Sequence, residues 1–270
     1  MKSCVFSKHL QAYAFPELAK ALKSIGIEGA DLTVREGGHV EPAEVRDKLP
    51  EAVATLKAGG VGVPMITTEI TSVDEPNTRA VIETAAKLGI PYYKLGYYEY
   101  RGYGNLKKQL AEAKAALREL AALSKELGIC AGFHNHSNDH VGAFLPHVAQ
   151  LIGDLDPKAV CAYYDIGHAT VEGMGLGWLQ GFDELSPRIR MIALKDVSVN
   201  PQTTGRRTQV VPMGTGPVMW DEFVKVLKAI EKQIGPVSYH GEYKDRSPEE
   251  VLKLIGEDKK FFEKHWGRSF

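Results

Sequence analysis

Two histidines flank an asparagine in the stretch GFHNHSND, which covers residues 132–139. Side chains two positions apart on a β-strand point to the same side, so His134 and His136 would face one way and Asn135 the other. Imidazoles placed together in this way can bind a metal ion or transfer protons near neutral pH. The alternative is a pair of histidines that are simply hydrogen-bonded in a polar loop, because one HxH pattern is a weak signal.

Charged side chains close further apolar runs. Asp165 ends the run in VCAYYDIGH, where a carboxylate needs a cation, several donors or a role as N-cap of the next turn. Lys195 in MIALKDV would point inward; it could hold a substrate carboxylate, phosphate or enolate, or pair with Asp165 or Glu242. His240 and Glu242 share a face in VSYHGEY, so Glu242 could act as a base, a metal ligand or a salt-bridge partner. These residues predict a site assembled from several strand ends.

The elements that must position these residues alternate regularly along the chain. Junctions such as LKAGGVGVPMITT and SKELGICAGFHNH join the end of a helix, a glycine and a short apolar run. Glycine adopts the left-handed conformation at a helix C-terminus easily, and an apolar run without alternation suits a buried parallel strand. The predicted strands lie near residues 2–6, 28–34, 61–67, 91–95, 129–134, 159–165, 189–195 and 236–241. The predicted helices lie near residues 16–25, 42–58, 75–88, 105–127, 143–152, 177–184, 219–234 and 248–264.

Eight strands alternating with eight helices over this length predict an α/β fold, a single (β/α)8 TIM barrel. A doubly wound open sheet is the second choice. No linker rich in Pro, Gly and Ser divides the chain, so residues 1–270 are predicted to form one domain. The longest segment predicted to be irregular covers residues 197–217, and loops of this length in a compact domain usually have a function.

Catalysis in such a barrel takes place at the C-terminal ends of the strands, and polar residues collect there in this sequence. The opposite strand ends, such as GIEGA and GVGVP, are small and apolar. Substrate-binding roles are predicted for further side chains at the strand ends and in the long loop, namely Arg35, His39, Lys94, His136, His168 and Arg206. The tyrosines between residues 92 and 103 are interpreted as a packed rim, and GTGP as a turn.

The composition argues against several classes of function. Lys and Arg number 33 against 34 Asp and Glu, which leaves no basic surplus for nucleic-acid phosphates. No run approaches the length of a membrane span and the first residues lack an apolar signal region, so a cytoplasmic protein is expected. Three cysteines without a CxxC pair are typical of buried free thiols. We expect no nucleotide cofactor. The sequence leaves open whether the protein forms a homo-oligomer.

The order of HNH, YYDIGHATVEG, LKD, VPMGTG and VSYHGEY resembles the sugar phosphate isomerase/epimerase group of the xylose isomerase-like TIM barrels. That superfamily also contains the AP endonuclease type 2 barrels, and FSKHLQ and DLTVREGGHVEP look like one particular branch of it. The resemblance covers nearly the whole chain. It implies a divalent metal ion held by Glu, Asp, His and Glu at the ends of successive strands from the fifth to the eighth, with the two Glu residues as an acid/base pair.

Only part of that implied ligand set is present in this sequence. The resemblance places His134 at the first Glu position and retains Asp165, whereas Ala193 stands at the His position and cannot bind a metal. His240 stands at the last Glu position, with Glu242 at the second acidic position. A set of His134, Asp165 and His240 suits Mn, Fe, Zn or Co better than Mg. The alternative is a metal-free site whose catalytic residues are His134, His240, Lys195 and Glu242.

The function that this resemblance implies is isomerisation or epimerisation of a sugar or keto-sugar by proton transfer next to a carbonyl. The imidazoles would serve as acid and base, and Lys195 or a metal ion would stabilise the enediolate. A lyase or hydratase acting on a keto-sugar at the same site is the next choice, followed by a non-catalytic sugar-binding barrel. An AP endonuclease-type phosphodiesterase ranks last, because those enzymes use a richer cluster of metal ligands.

Overall fold

Eight parallel strands close on themselves in the computed structural model, which describes residues 1–199 and 208–269. The strands in chain order are β1 (Lys2–Phe6), β2 (Gly29–Thr33), β3 (Gly62–Thr67), β4 (Tyr92–Lys94), β5 (Cys130–His134), β6 (Val160–Asp165), β7 (Ile189–Leu194), β8 (Asp196–Val199), β9 (Thr208–Val211) and β10 (Pro236–Tyr239). The barrel follows the order β1-β10-β7-β6-β5-β4-β3-β2, so that β2 returns to β1. This arrangement confirms the predicted (β/α)8 TIM barrel.

Helices alternate with the barrel strands and pack around them. They are α1 (Phe15–Ser24), α2 (Val45–Ala58), α3 (Thr78–Lys87), α4 (Leu106–Leu127), α5 (Leu145–Ile152), α6 (Ile166–Glu172), α7 (Gly177–Leu185), α8 (Trp220–Ala229) and α9 (Pro248–Trp266). In α4 the buried positions Leu110, Ala113, Leu117 and Leu120 recur at the three- and four-residue spacing of an amphipathic helix. Within the described residues, no helix has both the length and the apolar character that crossing a membrane requires.

The predicted junction of helix, glycine and strand is clear at the end of α4. Gly128 has a φ of +70°, in the left-handed region, and its N–H donates to the carbonyl of Lys125. The chain then enters β5, whose residues are all buried, as expected for a parallel strand that is covered on both faces. The strand therefore delivers its last residue, His134, to the C-terminal mouth of the barrel.

A small core, separate from the layer between strands and helices, fills the barrel interior. Its buried members are Cys4, Met65, Cys130, Cys161, Tyr163, Met191 and Ala193. The cysteines are buried free thiols, as predicted. A Cβ at Gly132 would lie 2.5 Å from the sulfur of Met191, so only glycine fits at this position of β5 unless its neighbours shift. The filled interior forms a solid floor beneath the strand ends.

Residues 197–199 and 208–211 differ from the prediction that 197–217 is an irregular segment, because they lie in the two antiparallel strands of a hairpin. In this hairpin β8 pairs with β9, with Asp196 opposite Val211 and Val199 opposite Thr208. The two strands are short and the sequence between them carries no two-residue turn signal, so their pairing is not evident from the local pattern. The hairpin contributes Val197, Thr208 and neighbouring residues to the wall of the barrel mouth.

Asp196 anchors the chain that follows the hairpin. One carboxylate oxygen accepts hydrogen bonds from the backbone N–H groups of Gly214 and Gly216, at 3.0 and 3.1 Å, and from the indole of Trp220 at 3.0 Å. The other oxygen accepts from the backbone of Val197 at 3.0 Å. The predicted GTGP turn thus directs its N–H groups at a carboxylate of the chain itself.

Replacing Asp196 with Ala is expected to lower the free energy of unfolding by about 2–3 kcal/mol, because buried N–H donors lose their acceptor. Urea-induced unfolding at pH 7 measures the change. The control is Asp183→Ala, at an exposed position of α7, for which a change within about 0.5 kcal/mol is expected. Equal stability of the two variants would show that Asp196 does not anchor this part of the chain.

Candidate active site

A polar cavity of about 390 Å³ opens at the C-terminal mouth of the barrel. This volume is in the range of small-molecule sites. The charged and aromatic residues of its lining include Lys8, Arg35, Glu69, Lys94, Tyr97, His136, His168, Lys195, His240 and Glu242. The cavity therefore lies at the face where the polar strand ends predict a reactive site.

Asp165 is the fully buried centre of the hydrogen-bond network beneath this cavity. Its Oδ1 caps α6 by accepting from the backbone N–H of His168 at 2.9 Å. Its Oδ2 lies 2.9 Å from Nζ of Lys195 and 3.2 Å from Nε2 of His134. The amide side chain of Asn135 bonds to both the backbone N–H and the carbonyl of Asp165, which ties β5 to β6. Asp165 therefore serves as an N-cap and also meets a cation.

Lys195 connects three polar groups through its buried ammonium. Besides Asp165, Nζ lies 3.2 Å from Oε2 of Glu242 and 2.7 Å from Nε2 of His168. Burial opposes the charge, but the two carboxylates outweigh it and raise the pKa of Lys195. Because the ammonium can only donate, Nε2 of His168 must accept, which leaves Nδ1–H to donate to the Ser137 hydroxyl at 2.8 Å. Lys195 therefore carries a fixed positive charge at the floor of the cavity.

His240 follows β10 directly and keeps one ring nitrogen without a partner. Its Nε2 lies 2.8 Å from the Tyr163 hydroxyl, whereas Nδ1 has no hydrogen-bond partner in the described part of the chain. Nδ1 lies 3.9 Å from Oδ2 of Asp165 and 3.8 Å from Oε2 of Glu242. Burial, reinforced by the charge of Lys195, holds the pKa of His240 well below its usual range. The imidazole is therefore neutral at pH 7, with a free nitrogen beside two carboxylates.

His134 lies close to His240 and is also neutral. The two ring centroids are 5.7 Å apart, and Nδ1 of His134 lies 3.1 Å from the Tyr97 hydroxyl. Burial, together with the charges of Lys94 and Lys195, holds the pKa of His134 well below its usual range. The structure thus brings the two imidazoles together at the barrel mouth, with His134 beneath the floor of the cavity and His240 on its surface.

The geometry of this cluster resembles that of a metal site. His134, Asp165 and His240 each offer one ligand atom, and these atoms lie within 4.8 Å of one another. Ligand atoms bound at about 2.0–2.2 Å in a tetrahedral site are roughly 3.4 Å apart. The distances from Oδ2 of Asp165 are 3.2 Å to His134 and 3.9 Å to His240, whose Nδ1 is unpartnered. The cluster could therefore hold a metal ion, in competition with Lys195 for Asp165.

The residues predicted to bind substrate are distributed unevenly. Those that line the cavity are Arg35, Lys94, His136 and His168. His39 has a different environment, because its Nδ1 lies 3.1 Å from the hydroxyls of Ser7 and Thr33. It therefore links the segment after β1 to the end of β2. Arg206 lies outside the described residues.

The chain matches the family model described as Xylose isomerase-like TIM barrel over residues 19–264. It belongs to the xylose isomerase-like TIM barrel family. This membership confirms the resemblance that the order of the strand-end motifs indicates. A comparison with curated protein sequences finds no match.

Solved structures of the same fold cover almost the whole chain at low sequence identity. A D-allulose 3-epimerase from Methylomonas sp. is 12% identical, with a TM-score of 0.72 over 98% of each chain. A probable 3-DHS dehydratase involved in petrobactin synthesis from Bacillus anthracis is 17% identical, with a TM-score of 0.70 over 97% of this chain and 98% of the other. A xylose isomerase-like TIM barrel protein from Mycobacterium smegmatis in complex with magnesium is 16% identical, with a TM-score of 0.70 over 98% and 96%. At such identities the likeness shows the common fold.

Two groups in this member of the family were not among the predicted site residues. Asp31 is buried in β2, where it accepts from the hydroxyls of Thr67 at 2.7 Å and Ser238 at 2.9 Å. Burial raises its pKa to about 6, and Oδ2 lies 3.4 Å from the Tyr163 hydroxyl that holds His240. An aspartate inside the apolar run GADLTV is the signal that could have identified it.

Tyr97 is the second such residue, because its sequence context suggested only a packed rim. The structure places it in the cavity lining, with its hydroxyl on His134 and its ring against those of His136 and His140 at 4.6 and 4.9 Å. A run of tyrosines carries no information on which ring turns inward. The path of the chain after β4 determines that the ring of Tyr97 is the one that turns into the cavity.

Proposed function

We propose that this protein is an enzyme that moves a proton next to the carbonyl of a sugar or keto-sugar, as isomerases and epimerases do. The observation that carries the proposal is the free Nδ1 of His240, which lines a polar cavity beside the charged ammonium of Lys195. A neutral imidazole with an open nitrogen can take up a proton, and the carboxylates of Asp165 and Glu242 near Nδ1 favour the imidazolium that results. A fixed cation next to it stabilises the negative oxygen that forms when the proton leaves.

Each residue of this cluster has a distinct task in the proposed reaction. His240 takes the proton from the carbon through Nδ1, while the Tyr163 hydroxyl on Nε2 holds the ring in place. Lys195 stabilises the enediolate oxygen, and Asp165 and Glu242 keep its ammonium charged and oriented. If His134, Asp165 and His240 held a metal ion instead, Nδ1 of His240 would be a ligand rather than the base, and the ion would supply Lewis-acid polarisation of the substrate oxygens.

Incubation of ketoses with the protein in D2O tests the proposal directly. We expect deuterium to enter at the carbon next to the carbonyl, with signals of the epimer or the isomeric aldose in the NMR spectrum. His240→Asn should lower the exchange rate by on the order of 10²–10⁴-fold, the usual contribution of a general base. His147→Gln on α5, whose ring packs on Phe144 away from the cavity, is the control that should leave the rate unchanged.

Two other results would contradict the proposal in different ways. An unchanged spectrum for a sugar that demonstrably binds would indicate a non-catalytic sugar-binding barrel. New alkene signals, with loss of water from the sugar, would indicate a lyase acting at the same site.

A further inference from the structure

Lys94 is a buried lysine whose amine has no hydrogen-bond partner among the residues that the structure describes. It is the last residue of β4, is 3% exposed and lines the cavity. Its Nζ has no hydrogen-bond partner within residues 1–199 and 208–269, and it lies 3.5 Å from the centroid of the Tyr97 ring. The ring covers one side of the amine, so the side that remains for another molecule is the cavity. A buried amine is costly without a partner, which indicates that the bound state supplies one.

The two buried lysines of the site differ in the availability of their nitrogen. Nζ of Lys195 is surrounded by Asp165, Glu242 and His168, and these contacts hold it as an ammonium. Burial and then the charge of Arg35 lower the pKa of Lys94 to about 7, so close to half of this amine is unprotonated at neutral pH. An unprotonated, desolvated lysine is the activated form of an amine nucleophile.

The barrel places Lys94 opposite the proposed base. In the closed order β1-β10-β7-β6-β5-β4-β3-β2, β4 and β10 are separated by half of the circle. Lys94 ends β4 and His240 follows β10, and both line the cavity, so they belong to opposite sides of the barrel mouth. A carbonyl compound held between them would present its carbonyl carbon to the amine and the adjacent C–H bond to Nδ1 of His240.

We infer that Lys94 is the amine that condenses with the substrate carbonyl to form an iminium ion, which makes the neighbouring C–H bond acidic. The inference rests on the proposed function for the class of substrate, a ketone-bearing sugar, and replaces its enediolate by an enamine, so that Lys195 would act on the hydroxyl of the carbon that loses the proton. The unprotonated amine nitrogen forms a bond to the carbonyl carbon, and the carbonyl oxygen leaves as water after taking up one proton from the attacking nitrogen and one from the solvent. The nitrogen keeps its other proton and carries the positive charge of the iminium ion, so atoms and charge balance. Hydrolysis after proton transfer releases the product and restores Lys94.

Reductive trapping with the smallest ketose tests this inference. The wild-type protein is incubated at pH 7 with dihydroxyacetone and sodium cyanoborohydride, and the adducts are located by intact mass and peptide mapping. At pH 7 the unprotonated fraction of an ordinary lysine, with a pKa of about 10.4, is roughly a thousandfold smaller than that of a lysine with a pKa of about 7. We therefore expect one major adduct, on Lys94, exceeding that on any other lysine at least about tenfold.

Lys94→Arg and Lys94→Met should remove this adduct, and circular dichroism shows whether each variant is folded. Two variants are used because the arginine needs extra room in the buried position, whereas methionine does not. Adducts spread over exposed lysines while Lys94 stays unmodified would overturn the inference. Deuterium exchange without any trapped adduct would also overturn it, but would leave the proposed function intact. An adduct on Lys94 without exchange for any ketose would support the amine chemistry and contradict the proposed function.

Discussion

Lys195→Met should lower the free energy of unfolding by about 3–5 kcal/mol, although methionine preserves most of the apolar stem. The side chain of Lys195 is 2% exposed, and its ammonium lies 2.9 Å from the fully buried carboxylate of Asp165. Removal of one partner leaves the other charge buried without compensation, and that penalty is larger than the net contribution of the intact pair. Equilibrium unfolding in urea at pH 7 measures the loss, and the same variant should lose turnover.

A double-mutant cycle separates this effect from the loss of a side chain in general. Adding Asp165→Asn to Lys195→Met removes the stranded charge, so the double variant should recover about half or more of the lost stability. Lys244→Met, an exposed lysine at the rim of the same cavity, is the matched control and should change stability by less than about 0.5 kcal/mol. A Lys195→Met variant as stable as the wild type would show that the ion pair does not hold the site together.

Acidification below pH 6.5 should destabilise the metal-free protein steeply, by about 4 kcal/mol for each pH unit. Burial lowers the pKa of seven histidines: to about 4 for His39, to about 3 for His136, well below the usual range for His134, His168 and His240, and less strongly for His9 and His147. Once the pH falls below about 6.5, the unfolded chain takes up protons at these positions that the folded chain does not. Each such group contributes up to about 1.4 kcal/mol per pH unit, present above pH 6.5 and lost on acidification.

Two buried carboxylates act in the opposite direction. Burial raises the pKa of Asp31 and of Asp258 to about 6, so between pH 6 and about 4 the folded chain holds protons that the unfolded chain has released. These two groups therefore favour the folded state in acid. The five strongly shifted histidines, set against the two carboxylates, leave a net uptake of about three protons on unfolding, which is the source of the predicted slope.

Urea unfolding at pH 7, 6 and 5 in the presence of a chelator measures this slope. His136→Asn should reduce it by about 1.4 kcal/mol per pH unit, because one of the five imidazoles is then absent. A free energy of unfolding that is constant between pH 7 and pH 5 would mean that the buried imidazoles take up protons equally in both states.

The (β/α)8 barrel and the membership of its family could be predicted from the sequence because the signals for them are local. A glycine that ends a helix, as at Gly128, and a fully apolar strand after it are features of neighbouring residues. In a parallel barrel all strands point the same way, so the face that carries Asp165, Lys195 and His240 also follows from their places at the ends of apolar runs.

The partners of these residues could not be predicted, because they depend on the register between strands that are far apart in sequence. The sequence left open whether Lys195 meets Asp165, Glu242 or only a substrate, and in the folded chain it contacts both carboxylates. It also contained no sign that Lys94 would have no hydrogen-bond partner in the described part of the chain, or that Asp31 would support the Tyr163 hydroxyl beneath His240. The residue types and the ends of the strands can be recognised from short stretches of sequence. The distances between side chains, which set their charge and protonation, are fixed only when the barrel closes.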